Sequence, residues 1–390
     1  MLFVSDNIIR AKLMISQINL LGNMSEKEFT QKFWGKKPCH IEAVVEDYHE
    51  TITKNILKNM VNDERLFIKL ITQNKGNYIT QFSPFKNKLL NKKDPYTFLI
   101  HKLQIWHKFS YELFNSIKFI PFFRHDDVML SFSNINGTVG PHYDSYDVFL
   151  FQGSGEKNWS IGYPQKKRGS KSEFKVNKKF KEKYKFIAKP GDVIYIPPNT
   201  PHYGVAKTND CITYSIGFRS PSNHDIKQRY LEFLMDSELE EFDIYNDLND
   251  KELNIKANIP IKLIKYIERK CKSSIKNNSS SIFIGQFMSE PDIDTIFTKK
   301  KYSHKRLTSN KKERTLYFDK ASRGIYFDNT FFINGVYISI PKSHYNFFKD
   351  FFDNKRCQFV FCGKIHAVEI IITELLNDGF IHLHPPKFLI

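Results

Sequence analysis

The sequence predicts an α+β chain in which one block of strands lies between two largely helical stretches. Three observations point there. From Asp126 to Phe218 apolar and polar residues alternate with period two, so that Val128, Leu130 and Phe132 share one strand face while Asp127, Met129, Ser131 and Ser133 share the other. Residues 25–125 and the stretch beyond Pro221 instead space their apolar residues as amphipathic helices do. Turn signals, Gly153-Ser154-Gly155 and Pro190-Gly191-Asp192, punctuate the alternating block.

Ser25 followed by Glu28 forms a capping-box start with Phe29, Phe33 and Trp34 behind it, and Gly35-Lys36-Lys37-Pro38 closes that helix. A strand is expected at His40–Val45 and helices at Thr51–Asn62 and Tyr96–Ile117, the latter with Leu99, Leu103, Trp106 and Leu113 on one side. Within the block, His142 and Asp144 are two apart on an expected strand and point to one face, together with Tyr146. Val148–Phe151 alternates, Lys157 and Trp159 share a face, and Val193–Ile196 is a short apolar strand. Pro197, Pro198 and Pro201 stiffen the loop that presents His202. Cys211–Phe218 then places Thr213, Ser215 and Gly217 on one side, with Ile212, Tyr214, Ile216 and Phe218 on the other. A face bearing Asp127 and two serines is buried only where those groups find partners, which next to His142 and Asp144 means a polar cavity.

Lys166–Lys185 is a lysine-rich insertion, read as a solvated loop, with RNA docking as the lesser alternative. Beyond Pro221, helices are expected at Asp225–Leu239 and Ile259–Ile275, then a basic linker over Lys299–Arg314. Asn334-Gly335 between Phe331–Ile333 and Val336–Ile340 signals a hairpin. Helices at Ser343–Phe352 and Lys364–Asn377 and a strand at Phe380–Leu383 complete the chain. His382 and His384 lack a third ligand nearby in sequence and are read as surface residues. The expected domains are residues 1–222, 223–300 and 301–390. The first dozen residues are read as an extension, Met14 serving equally well as a start.

Composition narrows the functional classes. A formal charge of +17 attracts phosphate through clustered Lys and Arg, although a lysine- and asparagine-rich composition spread over solvated faces accounts for it equally well. Five cysteines, odd in number and without a C-x-x-C pair, argue for reduced thiols in a cytoplasmic protein. Apolar runs long enough for a transmembrane helix are absent, and no signal-peptide cleavage site follows the N-terminus.

Two histidines and one carboxylate that leave the opposite face of a metal open are the ligand set of non-haem Fe(II) oxygenases, and His142, Asp144 and His202 supply it. H-x-D alone is a weak signal in a chain with thirteen histidines. Its surroundings carry more. VGPHYDSYDVFLFQGSGEKNW, PGDVIYIPPNTPH and YSIGFR resemble the core of the JmjC-type ribosomal oxygenases, in particular the bacterial ribosomal-protein arginine hydroxylases, most densely from Phe123 to Pro221. The resemblance implies a double-stranded β-helix, or cupin barrel, with a helical N-terminal elaboration, a helical dimerisation region and a C-terminal winged-helix-like module. It implies Fe(II), 2-oxoglutarate and O2, with Ser133 and Lys157 binding the distal carboxylate of 2-oxoglutarate, and Asp127, Tyr146 and Ser215 holding the substrate side chain. The implied substrate is a large-subunit ribosomal protein, the sixteenth of its series, and the implied assembly a homodimer that works near ribosomal RNA. Lys157 stands where the bacterial branch typically has arginine and the animal branch lysine, a point charge in place of a bidentate fork. A histidine hydroxylase, a protein demethylase and an inactive ribosome- or RNA-binding cupin are the alternatives.

Overall fold

The computed structural model describes residues 19–45, 48–74, 77–85, 94–164, 180–237, 264–265, 269, 279–292, 294–308, 313–362 and 367–389. The N-terminal extension, most of the lysine-rich insertion and most of the expected helix at 259–275 lie outside them. The coordinates divide into two compact units, one ending at Ser220 and taking in the tail from Lys387, the other spanning Pro221–Pro386.

In the first unit, α1 (Glu26–Lys32) starts where the Ser25 hydroxyl accepts the Glu28 N–H, as the capping signal requires. The short β1 (Cys39–Ile41) and α2 (Lys54–Val61) follow. The stretch expected to be mostly helical then departs from expectation. β2 (Ile68–Asn74), β3 (Asn77–Phe82) and β4 (Tyr96–Ile100) are strands, and only α3 (Lys108–Ser116) remains of the long helix expected at Tyr96–Ile117. All five residues of β4 are buried between β2 and β5, so it lacks the alternation that marks a one-sided strand.

The remaining strands are β5 (His125–Ser133), β6 (Asp147–Ser154), β7 (Lys157–Ile161), β8 (Tyr184–Ala188), β9 (Val193–Ile196), β10 (His202–Ala206) and β11 (Cys211–Phe218). They form an eight-stranded sheet, β1-β9-β6-β11-β5-β4-β2-β3, and a three-stranded one, β10-β7-β8. The two faces of the large sheet have different chemistry. Val128, Leu130, Phe132, Phe149, Phe151, Tyr195, Tyr214 and Phe218 pack with Phe29, Leu57 and Leu113 of the helices in one large core. The opposite face gives Val148, Leu150, Ile194 and Ile196 to a smaller core with Trp159, Ile161 and Ala188 of the small sheet. Met129, Ser131, Ser133, Thr213, Ser215 and Gly217 share this second face, as their alternation predicts.

The second unit begins with α4 (Asn223–Ser237) and α5 (Ser279–Ser289), joined by rings such as Tyr230 and Phe283, 5.0 Å apart. After α6 (His304–Thr308) come β12 (Glu313–Phe318), β13 (Gly324–Phe327), β14 (Thr330–Ile333) and β15 (Val336–Ile338). The β14–β15 turn has φ of 52° at Asn334 and 81° at Gly335, the left-handed pair expected of this hairpin. α7 (Tyr345–Asn354), β16 (Arg356–Val360), α8 (Ala367–Asn377) and β17 (Ile381–His382) close around Phe318, Phe331, Phe348, Phe352 and Leu376. Residues 223–300 and 301–386 thus cluster in one unit. His382 is tied by its Nε2 to Asp319, 2.8 Å away.

Candidate metal and keto-acid site

His142, Asp144 and His202 converge: each offers a ligand atom, and those atoms lie within 4.8 Å of one another. The segment before β6 is less regular than the expected strand, with His142 and His202 forming an isolated antiparallel bridge. His142 N–H donates to the His202 carbonyl at 3.0 Å and His202 N–H to the His142 carbonyl at 2.7 Å, which locks the two ligands side by side. Asn199, left-handed with φ of 57°, turns the proline-rich loop and donates its N–H to the Asp144 carbonyl at 2.6 Å.

Backbone carbonyls fix both rings. His142 Nδ1 donates to Gly140 O and His202 Nδ1 to Thr200 O, each at 2.9 Å. In the neutral rings this leaves both Nε2 atoms as the nitrogens available to a metal. Burial, then the nearby His142 and Lys157, holds the His202 imidazole well below its ordinary pKa, while burial pushes the Asp144 carboxyl up. With its tautomers set and its ligand atoms gathered, the cluster fits a divalent cation.

Lys157 occupies the other part of the site. It is 4% exposed, and among the described residues no carboxylate pairs with it. Its Nζ donates to Ser131 Oγ at 3.1 Å and Thr213 Oγ1 at 3.4 Å, and lies 5.1 Å from the Trp159 ring centre. Thr213 and Ser131 are direct cross-strand partners. Thr213 in turn donates to Gln152 Oε1 at 3.0 Å, and the Gln152 amide nitrogen donates to Ser154 O at 2.8 Å. The Thr213 proton is thus committed to protein, whereas no described residue accepts the Ser131 proton. Burial lowers the Lys157 pKa. Gly204, two residues beyond His202 on β10, makes room: a Cβ there would meet Lys157 Cε at 3.0 Å and the Trp159 ring at 2.8 Å. A buried cation with donors to spare and no anion beside it is a seat for a carboxylate.

The expected residues are placed as follows. Lys157 is buried, whereas Ser133, expected as its hydroxyl partner, bonds Thr97 Oγ1 at 2.8 Å, and Ser131 and Thr213 are the hydroxyls at its Nζ. Asp127 and Tyr146 flank Gly217: a Cβ on that glycine would lie 3.7 Å from Asp127 Oδ1 and 3.5 Å from the Tyr146 ring. Ser215, one inward position before Gly217 on β11, pairs with Met129 and Leu150. Sequence reading missed His101, whose Nδ1 is 3.7 Å from Asp127 Oδ2 and which stands in no motif, and Gln152, which lies inside the quoted motif but was given no role.

The fold and this centre define a JmjC-type metal site in a cupin barrel. Residues 112–226 match the JmjC domain family, and the chain carries a JmjC domain. Over 214 residues it is 28% identical to the ribosomal protein uL16 3-hydroxylase of Escherichia coli K12, covering 54% of this chain and 57% of that protein. Over 203 residues it is 32% identical to a Haemophilus influenzae protein named as a probable ribosomal oxygenase, covering 50% and 49%. The chain therefore matches about half the length of these curated relatives. The structure of the Escherichia coli ribosomal oxygenase YcfD with cobalt and 2-oxoglutarate is similar with a TM-score of 0.80 at 22% identity, over 92% of this chain and 98% of that one, a likeness of fold.

Proposed function

We propose that the chain is an Fe(II)- and 2-oxoglutarate-dependent oxygenase that hydroxylates a side chain of a large-subunit ribosomal protein, uL16, with arginine as the target residue. The observation that carries this is the pairing of a two-histidine, one-carboxylate cluster with a buried lysine that has no carboxylate partner among the described residues. His142, Asp144 and His202 would hold the metal, which with 2-oxoglutarate and O2 supplies the oxidising chemistry. Lys157 would bind the distal carboxylate while Ser131 donates to it, and Ser133 packs behind through Thr97. Asp127 would accept from the guanidinium, with the Tyr146 ring along its stem and Ser215 beside it. Gly217 leaves the width between them. His202, Lys157, Ser131, Ser133 and Thr213 are buried, which would keep water from the inner end of the site.

Similarity to proteins named for ribosomal protein hydroxylation supports the substrate class. On the same reading the chain works in the cytoplasm as a homodimer close to ribosomal RNA, Pro221–Pro386 supplying the helical dimerisation region and the winged-helix-like module; no helix among the described residues is long and apolar enough to cross a membrane. The second reading, a histidine target, is favoured by Lys157 in place of arginine. Incubating the chain with Fe(II), 2-oxoglutarate, O2 and uL16 should release succinate and add one oxygen atom to uL16, and fragment mapping should put it on an arginine. No succinate and no mass gain would refute the oxygenase reading; oxygen on a histidine would select the alternative.

A further inference from the structure

The large sheet ends in an edge that is unusual for so charged a chain. β3, Asn77–Phe82, has the sequence NYITQF, six residues without a charge or a proline, in a protein with 59 Lys and Arg. All six are exposed, and among the described residues β3 pairs only with β2. Phe82 is 55% exposed, Ile79 44% and Tyr78 37%, and Phe67 beside them is 50% exposed. Exposed edges of this composition invite another strand, and proteins ordinarily blunt them with lysine, proline or a bulge.

Both ends of this strand lead into the site. Tyr78 lies against Gly140, where a Cβ would sit 2.7 Å from its ring, and Gly140 holds the His142 imidazole. At the other end Phe82 stacks on Phe67 at 5.9 Å, Phe67 lies 5.5 Å from the His101 ring, and His101 faces Asp127. Between them, the pairs Ser131–Leu99, Leu99–Lys69 and Lys69–Phe82 form one row across four strands, from the lysine seat to the edge.

We propose that β3 is the docking edge for the protein substrate: an extended segment flanking the modified residue adds alongside β3 as a further strand of the large sheet, its target side chain reaching inward between the metal ligands and Asp127. This rests on the oxygenase reading and deepens it. Main-chain hydrogen bonds give such a contact its affinity without regard to sequence, while Tyr78 and Phe82 receive alternate side chains of the guest. A second copy pairing edge to edge would satisfy β3 but would not account for its contacts with Gly140 and, through Phe67, with His101.

The test is amide hydrogen exchange on the full chain with Fe(II) and 2-oxoglutarate under anaerobic conditions, with and without uL16, together with the KM of Ile79→Lys for uL16. Addition of uL16 should protect amides in residues 77–82, and the lysine should raise the KM for uL16 at least about tenfold, more than that for 2-oxoglutarate. Hydroxylation of uL16 with no new protection there and an unchanged KM would overturn the docking edge while leaving the oxygenase reading intact. Protection that appears with enzyme concentration alone, in the absence of uL16, would assign the edge to a second copy and overturn it too. If uL16 is neither modified nor protective, both readings fall, and the unaltered mass of uL16 marks the first as the cause.

Discussion

The two parts of the site are built in opposite ways. Two of the three metal-cluster residues, His142 and Asp144, stand on irregular backbone and the third, His202, where a proline-rich loop enters β10, and backbone carbonyls orient both histidine rings. The lysine seat stands on regular ladders, β7 with β10 and β5 with β11, and side-chain hydroxyls orient its ammonium. Burial holds the His202 imidazole of the first part well below its ordinary pKa and lowers that of Lys157 in the second. A site that gains a cation at one end and an anion at the other thus has to store its electrostatic cost at the lysine.

The largest expected effect breaks the metal end. Asp144→Ala removes one of three ligands, so turnover should fall to background and metal binding should be lost, as read by succinate release and by titration with Mn(II). Burial already pushes the Asp144 carboxyl up, and its removal should leave the melting temperature of the metal-free protein no lower than that of the parent. A clear loss of stability would mean that Asp144 is a structural residue.

Next in size is Lys157→Met, which should weaken 2-oxoglutarate binding by about a hundredfold, the loss of a charge-assisted contact worth roughly 2–3 kcal/mol. The metal-free, keto-acid-free protein should instead gain about 1–2 kcal/mol, because an unpaired buried ammonium is replaced by an apolar chain. Burial lowers the Lys157 pKa, so the folded seat gives up its proton below the ordinary value of 10.5. The unfolded chain then binds the proton more tightly, stability rises with pH, and the gap between parent and variant closes towards alkaline pH. The affinity of the parent for 2-oxoglutarate should fall over the same range while that of the variant stays flat. Equal slopes would remove the lysine from the seat.

This contrast also governs what could be read from residues alone. The metal end was legible because its signals are local: His142 and Asp144 are two apart, and three prolines announce the loop before His202. The lysine end was legible only to the level of faces. Ser131 and Ser133 lie on the same side of β5, and only the pairing of Ser131 with Thr213 decides which hydroxyl meets Lys157. Register belongs to the sheet, not to the strand. The same limit hid β4: Leu99 and Leu103 are four apart, as on a helix, yet Tyr96–Ile100 is buried on both faces and pairs on both edges. In the second unit, by contrast, Asn334-Gly335 encoded its own turn and the hairpin was read correctly.

The smallest effect sharpens the contrast within a single strand. Ser131 and Ser133 are both buried on the inner face of β5, but their protons have different fates. Ser131 accepts from Lys157, and no described residue accepts its own proton; on the proposed reading Ser131→Ala should raise the KM for 2-oxoglutarate about five- to tenfold, near 1 kcal/mol, with little change in kcat for the bound complex. Ser133 shares its hydrogen bond with Thr97, and both are fully buried. Ser133→Ala should therefore cost about 1–3 kcal/mol of stability, by stranding the Thr97 hydroxyl, while shifting the KM for 2-oxoglutarate far less. Replacing Thr97 by valine in the same background would remove the stranded group and should restore part of that stability. If Ser133→Ala instead gave the larger KM effect, the hydroxyl at the anion would be Ser133, and the contact between Lys157 and Ser131 would have to reorganise when the keto acid binds.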